Sequence, residues 1–347
     1  LPILAHSFIW QDTDMRTELI QIPTDGIPMD GALHLPDGPV RGSVLYFHGN
    51  TMNFYTGGAR FLPPSLTALG LAVLAFNRRG HDILTTRLSR DAEGGAFQTV
   101  AESVADNQYA AQWLAQQGHE NPVVIGHSYG GMLSTRFVAD HPKTPALVLL
   151  SAGRGGRENI SGGQEKLFAM DRTAELKAQA EALVAAGEGH ALLNLPGWWW
   201  VISAESFLDR LVNVPDTLSL ARQIHCPVLA IRGDQEDRSR YPAEEFQAAC
   251  AGPCEVDIIS QCDHFTTTEK RMSPKRWRSG FNARSSSERV HVAAAAEHGV
   301  QEHIAARRDV LGQGVFDLVV ADAVFAGDKD HRRRCQFGGI DGVVPCA

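Results

Sequence analysis

Four continuous apolar runs constrain this chain more than any other feature: Ser43–His48 (SVLYFH), Leu71–Asn77 (LAVLAFN), Pro122–Gly126 (PVVIG) and Ala146–Ser151 (ALVLLS). A strand with one wet face alternates apolar and polar residues. A run that is apolar throughout needs cover on both faces, which is the situation of a parallel strand between two layers of helices. Helical patterns fall between and after these runs, at Phe61–Leu69, Val100–Gln116, Gly131–Ala139 and Ala243–Ala251. Pro227–Arg232 (PVLAIR) and Glu255–Ser260 (EVDIIS) add two more strands. Thr17–Ile22 and Gly31–Leu35 read as an opening antiparallel pair, with Asp25-Gly26 as turn residues. The expected fold is therefore α/β, an eight-stranded, mostly parallel sheet with helices on both faces.

A long insertion, about residues 153–223, separates the sixth strand from the seventh. It holds a strong helical segment at Glu165–Ala186, then Gly197-Trp198-Trp199-Trp200, then a second helical pattern near Glu205–Val212. An insertion of this length at the ligand-binding edge of a sheet reads as a helical cap. Residues 1–152 and 224–268 then form the core. Beyond Thr268 the character changes. Lys270–Arg289 carries seven basic residues and one acid, His291–Leu311 reads as an Ala-rich helix, Val315–Val324 as a strand or a helix, and His331–Ala347 has no clear period, with no repeat linking this stretch to the core. Residues 269–347 read as a C-terminal extension without an assigned role, for which a solvated tail is preferred over a docking segment.

Gly126-His127-Ser128-Tyr129-Gly130 follows the strand PVVI directly and precedes a helical run. G-x-S-x-G in this strand–turn–helix setting is a tight turn that lifts a serine hydroxyl clear of the backbone. Side chains two residues before and after the serine would clash, which explains the glycines. The N-terminus of the following helix points at the hydroxyl.

These residues resemble the nucleophile turn of the α/β-hydrolase family, and the resemblance spans about Thr17 to Phe265. His48-Gly49-Asn50-Thr51, ending the strand SVLYF, is similar to that family's His-Gly oxyanion turn. The resemblance implies that Ser128 is a nucleophile and that the backbone N–H groups of Tyr129 and Asn50 form the oxyanion hole, with Thr51 the less favoured second donor. Asn77-Arg78-Arg79-Gly80-His81 resembles the framework turn after the next strand. His48 reads as a loop-stabilising residue, because a base is available elsewhere. That base follows the last strand, where Cys262-Asp263-His264-Phe265 offers His264. His225 precedes its strand and lies at the wrong end of the sheet, and His291, His298, His303 and His331 have no strand to place them. The orienting acid follows PVLAIR, in Gly233-Asp234-Gln235-Glu236-Asp237. The family's usual three-residue spacing points to Glu236. Asp237 is preferred here, because aspartate is the commoner orienting acid and the loop runs on to Tyr241-Pro242, with Glu236 and Asp234 left open. Chain order Ser128, Asp237, His264 is the order this family requires.

The implied chemistry is carboxylic-ester hydrolysis through an acyl-enzyme. Lactone, amide or carbon–carbon bond hydrolysis uses the same machinery, and a non-catalytic small-ligand receptor is the reading from another class. Epoxide hydrolases and dehalogenases of this fold carry an aspartate where this chain has Ser128. Trp198, Trp199 and Trp200 are candidates for the substrate pocket as well as for packing. No metal constellation or cofactor motif is present in the sequence. A net charge of −8 disfavours a nucleic-acid partner, and no run approaches the length of a membrane span. Leu1–Trp10 lacks the basic flank and cleavage site of an intact signal peptide. Six cysteines are too few for a disulfide-built fold of 347 residues, so free thiols and a cytoplasmic setting are expected, with one local bridge among Cys250, Cys254 and Cys262 as the alternative. Nothing in the sequence sets the oligomeric state.

Overall fold

The computed structural model describes residues 15–86, 91–156, 172–196, 200–260 and 262–264. Eight strands form one sheet: β1 (Met15–Ile22), β2 (Met29–Pro36), β3 (Gly42–Phe47), β4 (Leu71–Phe76), β5 (Val123–His127), β6 (Leu147–Leu150), β9 (Val228–Gly233) and β10 (Cys254–Ile259). Their spatial order is β1-β2-β4-β3-β5-β6-β9-β10. β1 pairs with β2, and β2 with β4, antiparallel, and every later pairing is parallel. The expected architecture is the one observed.

The register explains the apolar runs. Leu45 and Phe47 of β3, Leu74 and Phe76 of β4, and Leu147 and Leu149 of β6 pack on one face. That face is covered by α2 (Val100–Gln116), α3 (Tyr129–Asp140), α6 (Thr217–Ala221) and α7 (Ala243–Ala249) through Leu114, Phe137, Ala221 and Phe246. The intervening Val44, Tyr46, Val73 and Ala75 point the other way and meet Phe61, Leu62 and Leu66 of α1 (Gly58–Thr67). Successive side chains thus feed two cores, so neither set can be polar. α2 starts on a capping box: Thr99 Oγ1 accepts from the Glu102 N–H, and the Glu102 carboxylate accepts from the Thr99 N–H.

The insertion between β6 and β9 differs from the helical expectation. It contains α4 (Thr173–Ala185), α5 (Ala204–Asn213) and, between them, an antiparallel pair, β7 (Leu192–Leu195) and β8 (Trp200–Ser203). The alternation decides this: Leu193 and Leu195 are buried while Leu192 and Asn194 are exposed. With Leu176, Ala180, Ile202, Phe207 and Leu211 they form a small core of their own. The insertion is tied to the sheet domain by the Ser203 N–H donating to the Ala96 carbonyl (2.7 Å) and the Val100 N–H donating to the Asp209 carboxylate (2.7 Å). Residues 165–171, at the start of the expected helix, lie outside the described residues, as does the extension 269–347.

Candidate active site

The candidate chemistry gathers at the carboxyl ends of β3, β5, β9 and β10. Ser128 joins β5 to α3 at φ +55°, a conformation that L-residues adopt only under constraint. The two flanking glycines make the turn feasible. A Cβ on Gly126 would lie 2.1 Å from Ser134 Oγ and 2.5 Å from the Gly130 carbonyl oxygen, and one on Gly130 would lie 2.1 Å from the carbonyl oxygen of Phe47. The Ser128 N–H is held by the Leu150 carbonyl (2.9 Å), which fixes the turn to the neighbouring strand.

His264 follows β10 and brings its Nε2 to 3.0 Å from Ser128 Oγ. Its Nδ1 is 2.7 Å from Oε1 of Glu236, whose side chain is 1% exposed. The other carboxylate oxygen, Oε2, accepts from the Gly233 N–H (2.7 Å) and from Ser151 Oγ (2.9 Å). The preference for Asp237 is corrected on this geometry. Asp237 is exposed and its carboxylate accepts from the N–H and the hydroxyl of Ser239, which hold it below the usual carboxylate range. Asp234 is turned to Ser260 and to the Cys262 N–H. The extra methylene of glutamate lets a carboxylate rooted in the buried part of the loop reach the imidazole, and the spacing of three from Gly233 was the sequence signal for it.

The imidazole of His264 stacks against two rings, Tyr241 at 4.5 Å and His127 at 5.3 Å between centroids, with interplanar angles of 25° and 27°. Part of His127 reaches solvent, yet its Nδ1 is sealed off, and burial and the nearby His264 push its pKa down to about 3. His127 therefore stays neutral beside His264 at any ordinary pH.

The second turn, His48-Gly49-Asn50-Thr51, stands opposite the Ser128 turn. His48 is fully buried, and burial and the Arg78 guanidinium hold its pKa well below the ordinary value. Its Nε2 accepts from the Arg78 N–H (3.2 Å), which leaves Nδ1 to donate to the Gly49 carbonyl (2.7 Å). Arg78 also donates to the His48 carbonyl (2.6 Å). Thr51 sits at φ +56°. Tyr129 opens α3, so its N–H has no carbonyl one turn earlier to bond. Asn50 accepts a hydrogen bond on its side chain from Arg210 of α5 (3.1 Å), a contact absent from the sequence reading because it joins residues 160 positions apart.

Other expectations fall as follows. Trp198 and Trp199 lie outside the described residues, and Trp200 pairs with Leu195 in the hairpin. His225 is exposed before β9, at the opposite end of the sheet. Cys226, Cys250, Cys254 and Cys262 are free thiols, so no bridge joins Cys250, Cys254 and Cys262. A cavity of about 70 Å³ lies behind His127, lined by Tyr46, Met52, Phe61 and Leu150 among others. Ser128 is not in its wall, so the cavity backs the site rather than holding the reacting atoms. Among the described residues no three potential ligands could hold a metal ion, and no helix is long and apolar enough to cross a membrane.

A model of the Alpha/beta hydrolase family matches residues 44–277, well over half of the chain. The chain belongs to the alpha/beta hydrolase family. The matched stretch of this hydrolase includes Ser128, Glu236 and His264. Among solved structures it is similar to a hypothetical protein from Pseudomonas aeruginosa at 17% identity, covering 81% of this chain and 98% of that one with a TM-score of 0.58. It is similar to the alpha/beta hydrolase GrgF from Penicillium sp. sh18 at 16% identity, covering 72% and 91%, with a TM-score of 0.54. The Pyrococcus furiosus esterase PF2001 shares 17% identity over 80% of this chain and 93% of that one, with a TM-score of 0.50. Likenesses at these identities speak to the fold. No curated protein matches the chain significantly in sequence.

Proposed function

We propose that this hydrolase cleaves a carboxylic ester by acyl transfer, with Ser128 as nucleophile, His264 as proton carrier and Glu236 as the orienting carboxylate. The observation that carries the reading is the unbroken relay from Ser128 Oγ to His264 Nε2 (3.0 Å) and from His264 Nδ1 to Glu236 Oε1 (2.7 Å). Glu236 accepts from Nδ1–H, so Nε2 is left as the acceptor for the serine proton. As Oγ bonds to the ester carbonyl carbon, that proton passes to Nε2, and the buried carboxylate stabilises the imidazolium. The carbonyl oxygen gains negative charge, for which the amides of Tyr129 and Asn50 are the donors in this reading. Collapse of the tetrahedral intermediate expels the alkoxide, which takes the proton from Nε2 and leaves as the alcohol. Water, deprotonated by the same nitrogen, then attacks the acyl carbon, and the second tetrahedral intermediate collapses by breaking the bond to Ser128 Oγ, which takes the proton back from Nε2 as the acid leaves. The insertion serves as a cap on the oxyanion side, which the bond from Arg210 to Asn50 supports.

A panel of p-nitrophenyl esters of graded chain length, with lactone and amide controls, tests the reading on the wild type and on Ser128→Ala. Ester turnover that disappears in the variant is expected, at a cost of several orders of magnitude in kcat. Turnover undiminished in Ser128→Ala would overturn it.

A further inference from the structure

Arg210 is a cation buried where packing alone would favour an apolar side chain. It projects from α5 of the insertion and is 4% exposed. Its Nη1 donates to Asn50 Oδ1 (3.1 Å), its Nη2 donates to the Gly95 carbonyl (3.2 Å), and its guanidinium carbon lies 5.0 Å from the centroid of the Tyr129 ring. Asn50 and Tyr129 are the two residues whose amides serve as the oxyanion donors in the reading above, and one side chain touches both. The Gly95 loop belongs to the same assembly, because a Cβ on Gly95 would lie 3.2 Å from Thr51 Cγ2, next to Asn50.

The oxyanion turn needs such a hold. Thr51 sits in the left-handed region, a strained conformation for a non-glycine residue that persists only when its surroundings impose it. Arg78 fixes the near end of the turn through the His48 carbonyl (2.6 Å), and Arg210 fixes the far end through Asn50. Desolvating a guanidinium is expensive, and a well-packed apolar residue often replaces a buried charge without loss of stability. The planar fork of arginine supplies what an apolar residue cannot: two directed donors and a flat face for an aromatic ring.

We propose that Arg210 is a positioning residue of the oxyanion hole, through which the insertion holds Asn50 and Tyr129 in register with Ser128. The inference rests on the assignment of Ser128 and of these two amides. It also gives the insertion a part in rate rather than only in substrate selection. An amide displaced by a fraction of an ångström loses much of its hold on the developing charge, and a misplacement of about 1 Å costs roughly a hundredfold.

The test compares wild type, Arg210→Met, Arg210→Lys, Asn50→Ala and the Arg210→Met/Asn50→Ala double variant. Three quantities are read: kcat and KM on p-nitrophenyl butyrate, the rate of Ser128 phosphonylation by a fluorophosphonate, and the urea unfolding midpoint. Arg210→Met is expected to lower kcat and the phosphonylation rate together by about 10- to 100-fold, with KM little changed and the midpoint near that of the wild type. Arg210→Lys should recover part of the rate, since it retains the charge and one donor. Asn50→Ala keeps its backbone N–H but loses the Arg210 acceptor, so it should also slow kcat, and the double variant should be no slower than the worse single. Wild-type kcat in Arg210→Met, a loss confined to KM, or losses that multiply in the double variant would overturn the proposal while leaving the Ser128 reading intact. If Arg210→Met does not fold, Arg210→Lys and Asn50→Ala decide: both at wild-type kcat would overturn it. A wild type that the fluorophosphonate leaves unlabelled would instead remove the reading on which the proposal rests.

Discussion

Glu236 does three things with two oxygens, and that accounts for its identity. Oε2 is occupied by the Gly233 N–H and the Ser151 hydroxyl, so Oε1 faces His264 with no freedom to turn away. In Glu236→Gln the carbonyl oxygen would remain with the Gly233 donor and the NH2 group would face Nδ1. Nδ1 would become the acceptor, Nε2 would carry the proton, and the histidine could no longer receive one from Ser128. We expect kcat to fall about a thousandfold or more, with the fold retained. Asp237→Asn, by contrast, should leave kcat near wild type, because that carboxylate contacts Ser239 at the surface. The pair of variants, assayed at saturating ester, distinguishes two neighbouring residues that sequence spacing left in competition, and a crippled Asp237→Asn beside a healthy Glu236→Gln would reverse the assignment.

The strand–turn–helix of β5 and α3 was legible because it is a local device: an apolar run, two glycines and a helical period within about fifteen residues leave few other conformations. Its tolerance is correspondingly narrow. The methyl group of Gly130→Ala would meet the backbone oxygens of Phe47 and His48, at 2.1 and 2.4 Å, and neither is a movable side-chain tip. We expect a loss of about 3 kcal/mol in urea unfolding, accompanied by slower phosphonylation of Ser128, since the same push displaces the turn that leads to Asn50. A fully active Gly130→Ala of wild-type stability would show that the turn is looser than described. The acid and the insertion were less legible for different physical reasons. Whether position 236 or 237 faces the histidine depends on which way one loop residue turns, and that is set by the Gly233 N–H and by Ser151, just past the end of β6. The hairpin in the insertion had a short alternating signal in Leu192–Leu195, but a four-residue strand is hard to separate from a helical edge by period alone. Arg210 carried no local signal, because its meaning lies in Asn50 and Tyr129, both far away in sequence.

Across the whole molecule the sheet brings distant residues to one edge and buries titratable groups in doing so. His48 and His127 are both kept neutral, chiefly by burial, His127 with a pKa of about 3. The unfolded chain protonates the same residues near pH 6.5. Below that pH the unfolded state binds protons the native state refuses, so the stability these histidines contribute is present above pH 6.5 and is lost as the pH falls. Between pH 7.5 and 5.5 the loss is about 1.4 kcal/mol for His127, and His48 adds to it in the same direction. It should be seen as a lower urea midpoint at pH 5.5, and a midpoint unchanged over this range would contradict the burial described. The central claim is that the hydroxyl of Ser128 is activated by His264 and Glu236, and it is tested most directly by mass-spectrometric mapping of the native protein after treatment with a fluorophosphonate. The account predicts one phosphonyl group per chain, on the peptide containing Ser128. An unmodified protein, or a label on another residue, would contradict it.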